Sequence, residues 1–408
     1  MSAGAGAREI PIVLLASAPW ATPAPVNVHQ IARRMAARGH RVLFVESTGL
    51  RSPALLGSGH DRRRVWARLR GWLRGARPAG ENLWVLSPLA LPAGWPAPLR
   101  ALSERWLARS VARCAGRLGL RRPVVWAFLP TALAVARRLD GRRLVYHCVD
   151  RYAANPGVDA ERIAQAEAEM LAAADRVLAA SPELAAGLRR LRPDAICLPN
   201  VADVALFGRA LRENLPEPPE LAGVPRPRAI YVGNLAAYRV DFRLLAALAR
   251  SLPDVHQVLV GAVGLGDAGA PSRAWRELVD LPNVHAFGPR PQETLPAWLR
   301  HADVALIPFL DNEHTRASLP LKLWEYLAAG LPVVASDLPN FGEPARAGLV
   351  RTARGAPAFA EAVRAALAEP AARRAERHER ARAHDWPARI DELERLLADE
   401  PGGGGPVR

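Results

Sequence analysis

The sequence predicts an α/β protein of two Rossmann-like domains facing each other across a cleft, and three observations lead there. At 408 residues the chain is too long for one ordinary hydrophobic core. Short apolar runs alternate with segments of helical periodicity, which is the pattern of a parallel sheet covered by helices on both faces. A Pro- and Glu-rich stretch, Arg212 to Arg228 ("RENLPEPPELAGVPRPR"), interrupts the alternation, which then starts again.

In the first half, residues 1–211, "IPIVLLAS" reads as the opening strand. The adjacent Glu9 and the shortness of the apolar run favour a buried strand over a signal peptide. Asn27 to Arg38 reads as a helix stopped at Gly39, followed by "RVLFVES" as a strand. "PVVWAFL", "RLVYHCV" and "RVLAAS" are further strands, each followed by a helical segment. Residues 212–228 are the linker. In residues 229–375 the strands are "AIYVGNL", "VHQVLVGAV", "NVHAFG", "VALIPF" and "PVVAS". Residues 376–399, with "WPARIDELERLLADE", form an amphipathic helical segment expected to cross back to the first domain. Residues 400–408, "PGGGGPVR", read as a disordered tail.

Composition narrows the partners. The net charge of +15 calls for anions such as nucleotide phosphates or anionic lipid. The arginines are dispersed and no nucleic-acid motif is present, so nucleic acid is not expected. Cys114, Cys148 and Cys197 lie far apart without metal-binding spacing, which predicts no metal site and a reducing, cytoplasmic location. No run of about 18 or more apolar residues is present to span a membrane.

Lys322 is the only lysine among 55 basic residues, and it sits in "SLPLKLWEYLAAGLPVVAS", Ser318 to Ser336. Ser318 can cap a helix here, Pro320 suits its first turn and Gly330 its end. At about 100° per residue Ser318, Lys322 and Glu325 share one face, with Leu323 and Leu327 opposite. A helix N-terminus after a strand favours phosphate, and a lysine one turn in adds a compact cation. A carboxylate one turn further can accept two hydrogen bonds from a ribose diol. The plain alternatives are a surface helix with a Lys/Glu pair and an arginine-biased composition that happened to leave one lysine.

These residues resemble the nucleotide-sugar-binding segment of GT-B fold glycosyltransferases, in the large, mostly retaining group known for an E-x7-E element. "LPNVADVALF" (Leu198 to Phe207) is similar to the group's PNGVD…F segment, with Val201 where glycine is usual. "YVGNLAAYRVDFRLL" resembles the opening strand and loop of the donor domain, and "LPNVHAFGPRPQETLPAWLRHADVALIPF" the base-binding region. The likeness covers Arg176 to Pro332 well and the first 140 residues loosely. It implies ribose binding by Glu325, the second glutamate of the element. The first would fall at Ala317, a departure shared with a variant subgroup reading S-x-P-x-K-x-x-E-Y, in which Ser318 and Lys322 take donor contacts. Glu313 or Asn312 could supply a polar group instead.

The resemblance further implies a diphosphate clamp in the loop holding Gly233, Asn234 and Arg239, with Lys322 as second cation, and a base pocket near Phe287, Gly288 and Arg290. Fixed cations replace a metal ion at the leaving diphosphate, so no cofactor is expected beyond the donor, a UDP-sugar in the first instance. His147 and Asp150, at the end of "VYHCVDRY", are the catalytic candidates from the first domain, as base or as sugar-orienting groups, beside Lys322 and Arg239. The plain reading pairs them or makes them a cap. His29 is a weaker candidate, Glu46 reads as structural or acceptor-facing, and "VGAVGLGD" as a turn.

Residues 62–77, "RRRVWARLRGWLRGAR", gather Trp and Leu on one helical face and arginine on the rest, which suits peripheral contact with an anionic membrane. The expected function is transfer of a sugar to a glycan or polyprenyl-linked acceptor at the inner face of the membrane. A sugar-nucleotide epimerase and a non-catalytic scaffold retaining a nucleotide site are the alternatives.

Overall fold

The computed structural model describes residues 9–22, 25–46, 75–88, 97–155, 157–264 and 272–398. The first sheet runs β1 (Pro11–Leu15), β2 (Arg41–Val45), β3 (Arg77–Gly80), β4 (Leu83–Leu86), β5 (Val124–Ala127), β6 (Arg143–Cys148), β7 (Arg176–Ala179) and β8 (Ile196–Cys197) in chain order. In space the order is β3-β4-β2-β1-β5-β6-β7-β8. All neighbours pair in parallel except β3 with β4, an antiparallel edge pair that the alternation did not reveal. β1 is the central strand and its side chains alternate between two cores. Ile12 and Leu14 pack with Ile31 and Met35 of the helix Asn27–Ala37, whereas Val13 and Leu15 pack with Leu107 and Val111. A strand buried on both faces needs apolar residues at every position, and "PIVLL" supplies them.

The second sheet comprises β9 (Arg228–Val232), β10 (His256–Val260), β11 (Val284–Phe287), β12 (Val304–Ile307), β13 (Val333–Ser336) and β14 (Arg351–Ala353). Its order is β11-β10-β9-β12-β13-β14, parallel throughout. In both sheets the strand order reverses beside the first strand. An α/β sheet binds its ligand beyond the carboxyl ends of the strands at such a reversal.

The chain changes domain earlier than the Pro-rich stretch implied. Leu198 and Val201 belong to a first-domain core, while Ala202, Val204, Phe207 and Ala210 pack into the second. The two short helices before residue 212 therefore travel with the second domain, because their apolar side chains find cover only there. The return is as abrupt. Ala381 lies in the second core, and the helix Trp386–Ala398 buries Trp386, Ile390, Leu393 and Leu397 in the first. Arg143 closes its end, donating to the Leu396 and Leu397 carbonyls at 3.0 Å each. The expected crossing of the C-terminal helix is thus observed. The two crossovers run side by side: Ala202 N–H donates to the His384 carbonyl at 3.0 Å, and Val204 N–H to Asp385 Oδ1 at 3.1 Å.

Residues 62–74 of the arginine- and tryptophan-rich segment, and the 400–408 tail, lie outside the described residues. Arg77 begins the edge strand β3.

Candidate functional site

A cleft of about 460 Å³ opens where the carboxyl ends of the two sheets face each other. From the second domain it is walled by the loop after β9, the turn after β10 and the start of the helix Leu321–Ala328. The first domain adds residues 25–28 and Asp150. Two glycines let the walls meet. Gly233 has φ +139° and Gly261 φ +152°, and a Cβ on Gly261 would stand 1.8 Å from the Gly233 carbonyl oxygen. Only two backbones without side chains can pass so closely. "VGAVGLGD" read as a turn at the rim, and the structure makes its first glycine part of the wall.

The helix bearing Lys322 starts later than the sequence suggested. Ser318 is the C-terminal cap of the preceding helix, Glu313–Ala317, and Pro320 is the N-cap residue of Leu321–Ala328, with no side-chain cap. Ser318 stays extended because the helix before it ends there and the proline after it disfavours helical backbone at Leu319. Ser318, Lys322 and Glu325 nonetheless all line the cleft. The uncapped helix start directs its N–H groups and positive dipole end toward that space.

Lys322 is 9% exposed, and its ammonium lies 3.8 Å from the Tyr231 ring centroid and 5.2 Å from that of Phe309. Burial, and then the Arg239 charge, hold its pKa well below the ordinary lysine range, against the pull of Glu325. Burial also lifts Glu325 to about 7, opposed by Lys322 and aided by Asp203. Both groups are pushed toward neutrality. A bound anion would favour the ammonium.

Arg239 lines the cleft, its Nη2 2.6 Å from His314 Nε2 and 3.9 Å from Asp150 Oδ2. His314 Nδ1 lies 3.2 Å from Asp150 Oδ1. Asp150, Arg239 and His314 thus meet across the domain boundary. Neither Asn312 nor Glu313 enters the cleft. Asn312 caps the helix Glu313–Ala317 through the Thr315 N–H, and Glu313 pairs outward with Arg151 at 3.0 Å. Ala317 is buried in a first-domain core and its carbonyl accepts from Ser181 Oγ at 2.6 Å, so this position holds backbone and packing rather than a carboxylate. His314 is the polar group this segment sets beside Arg239 and Asp150, behind the cleft wall, and no motif pointed to it.

Asn200 is a second residue that the motif reading passed over. Its amide donates to the Leu319 carbonyl at 2.9 Å and accepts from Asn27 at 3.0 Å, fixing the 318–320 turn against the first domain. Asn200 stands inside the quoted "LPNVAD", so the signal was present without a role attached to it. Gly233, Asn234 and Arg290 line the cleft; Arg290 stacks on Trp298 and pairs with Glu220 at 3.0 Å. Phe287 is not in the wall. Its ring packs edge-on against Trp298 at 5.0 Å, and its carbonyl receives the Gly261 N–H.

His147 does not reach the cleft either. Side chains along β6 alternate between the two faces of the sheet, and the His147 ring points into the core, tilted 5.0 Å from Phe128 and stacked 6.1 Å from Trp126. Both ring nitrogens are buried without hydrogen-bond partners, and burial drives its pKa down to about 3. An unfolded histidine titrates near 6.5, so below that pH the unfolded chain takes up a proton that the native chain refuses. Stability should therefore fall as pH drops from about 6.5 toward 3, by up to about 1.4 kcal/mol per pH unit. His147→Phe should flatten that acid slope and add about 1 kcal/mol at pH 7, because two orphaned polar atoms disappear. Urea denaturation at pH 5 and pH 7 checks both numbers.

His29 is equally structural. Its Nδ1 accepts from the Val26 N–H at 3.1 Å and its Nε2–H donates to the Pro19 carbonyl at 2.9 Å, pinning the first strand-to-helix loop. Glu46 accepts from the Trp20 N–H at 2.8 Å beside it.

Residues 226–369 match the family described as glycosyl transferases group 1. Among curated proteins, one from Bacillus subtilis (strain 168), assigned to teichuronic acid biosynthesis as glycosyltransferase TuaH, is 33% identical over 110 residues. That match spans 27% of this chain and 26% of the relative's length. Among solved structures, sucrose-phosphate synthase from Thermosynechococcus elongatus superposes with a TM-score of 0.70 at 20% identity, covering 95% of this chain and 98% of that one. Anabaena Alr3699/HepE, solved in complex with UDP, superposes with a TM-score of 0.64 at 16% identity, covering 95% and 100%. At these identities the likeness is one of fold, and that fold is GT-B.

Proposed function

We propose that this chain, whose residues 226–369 form a glycosyl transferases group 1 domain on a GT-B fold, transfers a sugar from a nucleoside-diphosphate sugar to a glycan or lipid-linked acceptor. One observation carries the reading: Lys322, Arg239 and an uncapped helix N-terminus converge on one cleft, with Glu325 one helical turn beyond. The cations stand where a departing diphosphate would need neutralising, and Glu325 where a ribose diol would donate. Positive charge fixed by the protein makes the transfer metal-independent in this proposal. UDP is the first choice of nucleotide, supported by the fold's likeness to a structure solved with UDP.

Asp150 faces the transferred sugar from the first domain. Its Oδ2 lies 3.9 Å from Arg239, and its Oδ1 accepts from the Arg151 N–H at 3.0 Å and lies 3.2 Å from His314, so both oxygens are turned to protein groups. That favours an orienting role and a retaining outcome. The teichuronic acid relative supports cell-envelope polysaccharide synthesis as the setting. Calorimetric titration with UDP, GDP, ADP and dTDP, followed by transfer assays, tests the proposal. One nucleotide should bind in the micromolar range and its sugar should be transferred. Binding without transfer or hydrolysis would instead support a scaffold, and no binding at all would sink the donor site.

Peripheral membrane contact is part of the proposal. No helix among the described residues is long and apolar enough to cross a membrane. On the helix Ala97–Arg117, Leu99, Leu102 and Trp106 are 41%, 58% and 37% exposed. With exposed Arg109 and Arg113 they share an arc of about 80°. Apolar groups followed by arginine on one exposed face suit an anionic bilayer surface. Wild type should float with phosphatidylglycerol-containing vesicles and not with phosphatidylcholine alone. Leu102→Asp should lower that binding about tenfold; equal flotation of both proteins removes this face from the proposal.

A further inference from the structure

We infer that His314 is a positioning residue which holds Arg239 aimed into the cleft and makes that aim depend on closure of the two domains. The inference rests on the reading of Arg239 as a diphosphate clamp, and it adds a residue that no motif assigns.

The ring's surroundings define its proton. A guanidinium can only donate, so Arg239 Nη2, at 2.6 Å, must donate to a lone pair on His314 Nε2. A neutral ring then carries its proton on Nδ1, which lies 3.2 Å from Asp150 Oδ1 of the first domain. Tyr238 packs edge-on at 5.1 Å and holds the ring plane. That tautomer gives Arg239 its acceptor and turns the Nδ1–H toward the Asp150 carboxylate without closing a hydrogen bond to it, and the other would set N–H against N–H. The contrast with His29 is instructive: its nitrogens are engaged by backbone groups, whereas those of His314 face two ionic groups that line the cleft.

The helix Glu313–Ala317 that carries His314 belongs to the second domain, yet both its ends are fastened to the first. Glu313 pairs with Arg151 at 3.0 Å, and the Ala317 carbonyl accepts from Ser181 at 2.6 Å. His314 is 3% exposed between those two contacts. Separation of the domains removes Asp150, wets the ring and frees the Nδ1 proton to move. Arg239 then loses its fixed acceptor. In the closed form the clamp is set; in the open form it is loose.

Protonation should have the same effect as opening. An imidazolium has no lone pair for Arg239 and becomes a rival cation for Asp150. Burial and the Arg239 charge hold the His314 pKa below its ordinary value, and Asp150 works against them. The other charged groups nearby face the outer side. Glu183 comes from the packed helix Pro182–Leu188, Arg151 pairs with Glu313, and Arg316 pairs with Asp311.

Two substitutions separate the contacts. His314→Gln can place an acceptor near the Nε2 position but loses Asp150; His314→Asn can place a donor near Nδ1 but loses Arg239. UDP affinity by calorimetry and steady-state transfer kinetics would be measured from pH 5.5 to 8.5, with thermal melting to confirm folding. His314→Asn should weaken UDP binding about tenfold, His314→Gln less than about threefold. At the acid end of that range the wild type should lose affinity relative to His314→Gln, which keeps Lys322 but has no ring to protonate. Equal losses in both variants, or an unchanged pH profile in His314→Gln, would overturn the inference. If the wild type binds no nucleotide, the clamp reading fails by itself, and the geometry is tested separately by NMR titration of the His314 ring. Its pKa should rise in Arg239→Met and fall in Asp150→Asn; no response to either would remove the coupling.

Discussion

Lys322→Met is expected to lower the rate of sugar transfer about 10²–10³-fold, the scale seen when one preorganised charge-stabilising group is removed from a site that excludes water. The fold should tolerate the change. The ammonium is buried against Tyr231 and Phe309, so an apolar chain of similar length replaces a desolvated cation at no loss of packing. Thermal melting should therefore show equal or slightly higher stability alongside the lost activity. Arginine is expected to fail too. A methyl group on Gly233 would lie 2.8 Å from the ammonium, so a guanidinium would have to displace that backbone. A further signature follows from the lowered lysine pKa. UDP binding should draw that pKa back upward, so proton uptake measured as a buffer-dependent heat should accompany binding and be missing from Lys322→Met. Full activity in Lys322→Arg would return the lone lysine to compositional chance.

Gly261→Ala should have the largest effect on the fold. Its φ of +152° is one that side chains rarely adopt, and the new Cβ would stand 1.8 Å from the Gly233 carbonyl. No side-chain adjustment relieves a collision with backbone, so the β9 and β10 termini must separate. A destabilisation of about 3 kcal/mol or more is expected, with loss of nucleotide binding because both loops wall the cleft. Gly223→Ala is the control: nothing lies within 4 Å of its Cβ position, and it should stay within about 0.5 kcal/mol of wild type. Urea denaturation and calorimetry measure the two effects independently.

The fold was legible because buried parallel strands leave continuous apolar runs, and "PIVLL" and "VALI" could be little else. β3 escaped notice because "RPAG" at a sheet edge is neither apolar nor alternating, whereas "LWVL" of β4 carried the same apolar signal as the other parallel strands and was passed over. The domain crossover was misplaced for a related reason. Proline and glutamate mark where a chain is irregular, but which core an apolar side chain enters is decided by tertiary packing, as with Val204 and Phe207. The helix start at Leu321 was shifted by a proline whose effect on the preceding residue outweighed the capping preference of Ser318. Within the site, Lys322, Glu325, Arg239 and Asp150 could be proposed from position in a motif or at a strand end. His147 could not be separated from Asp150 by sequence, since the pleat turns them to different surroundings. His314 carried no local signal, because its partners come from residues 150 and 239.

The side-by-side crossovers at Ala202 and at His384–Asp385 have a bearing on modularity. The first sheet is completed by a helix encoded at the far end of the chain, whose Trp386, Ile390, Leu393 and Leu397 cover one of its faces. A gene fragment ending near residue 200 would leave that face bare, and a fragment starting there would carry an apolar helix with nothing to cover. The two halves are therefore not interchangeable cassettes. A chimera that exchanges the N-terminal domain must bring that domain's own C-terminal helix with it, so the chain recombines as three pieces inherited in pairs.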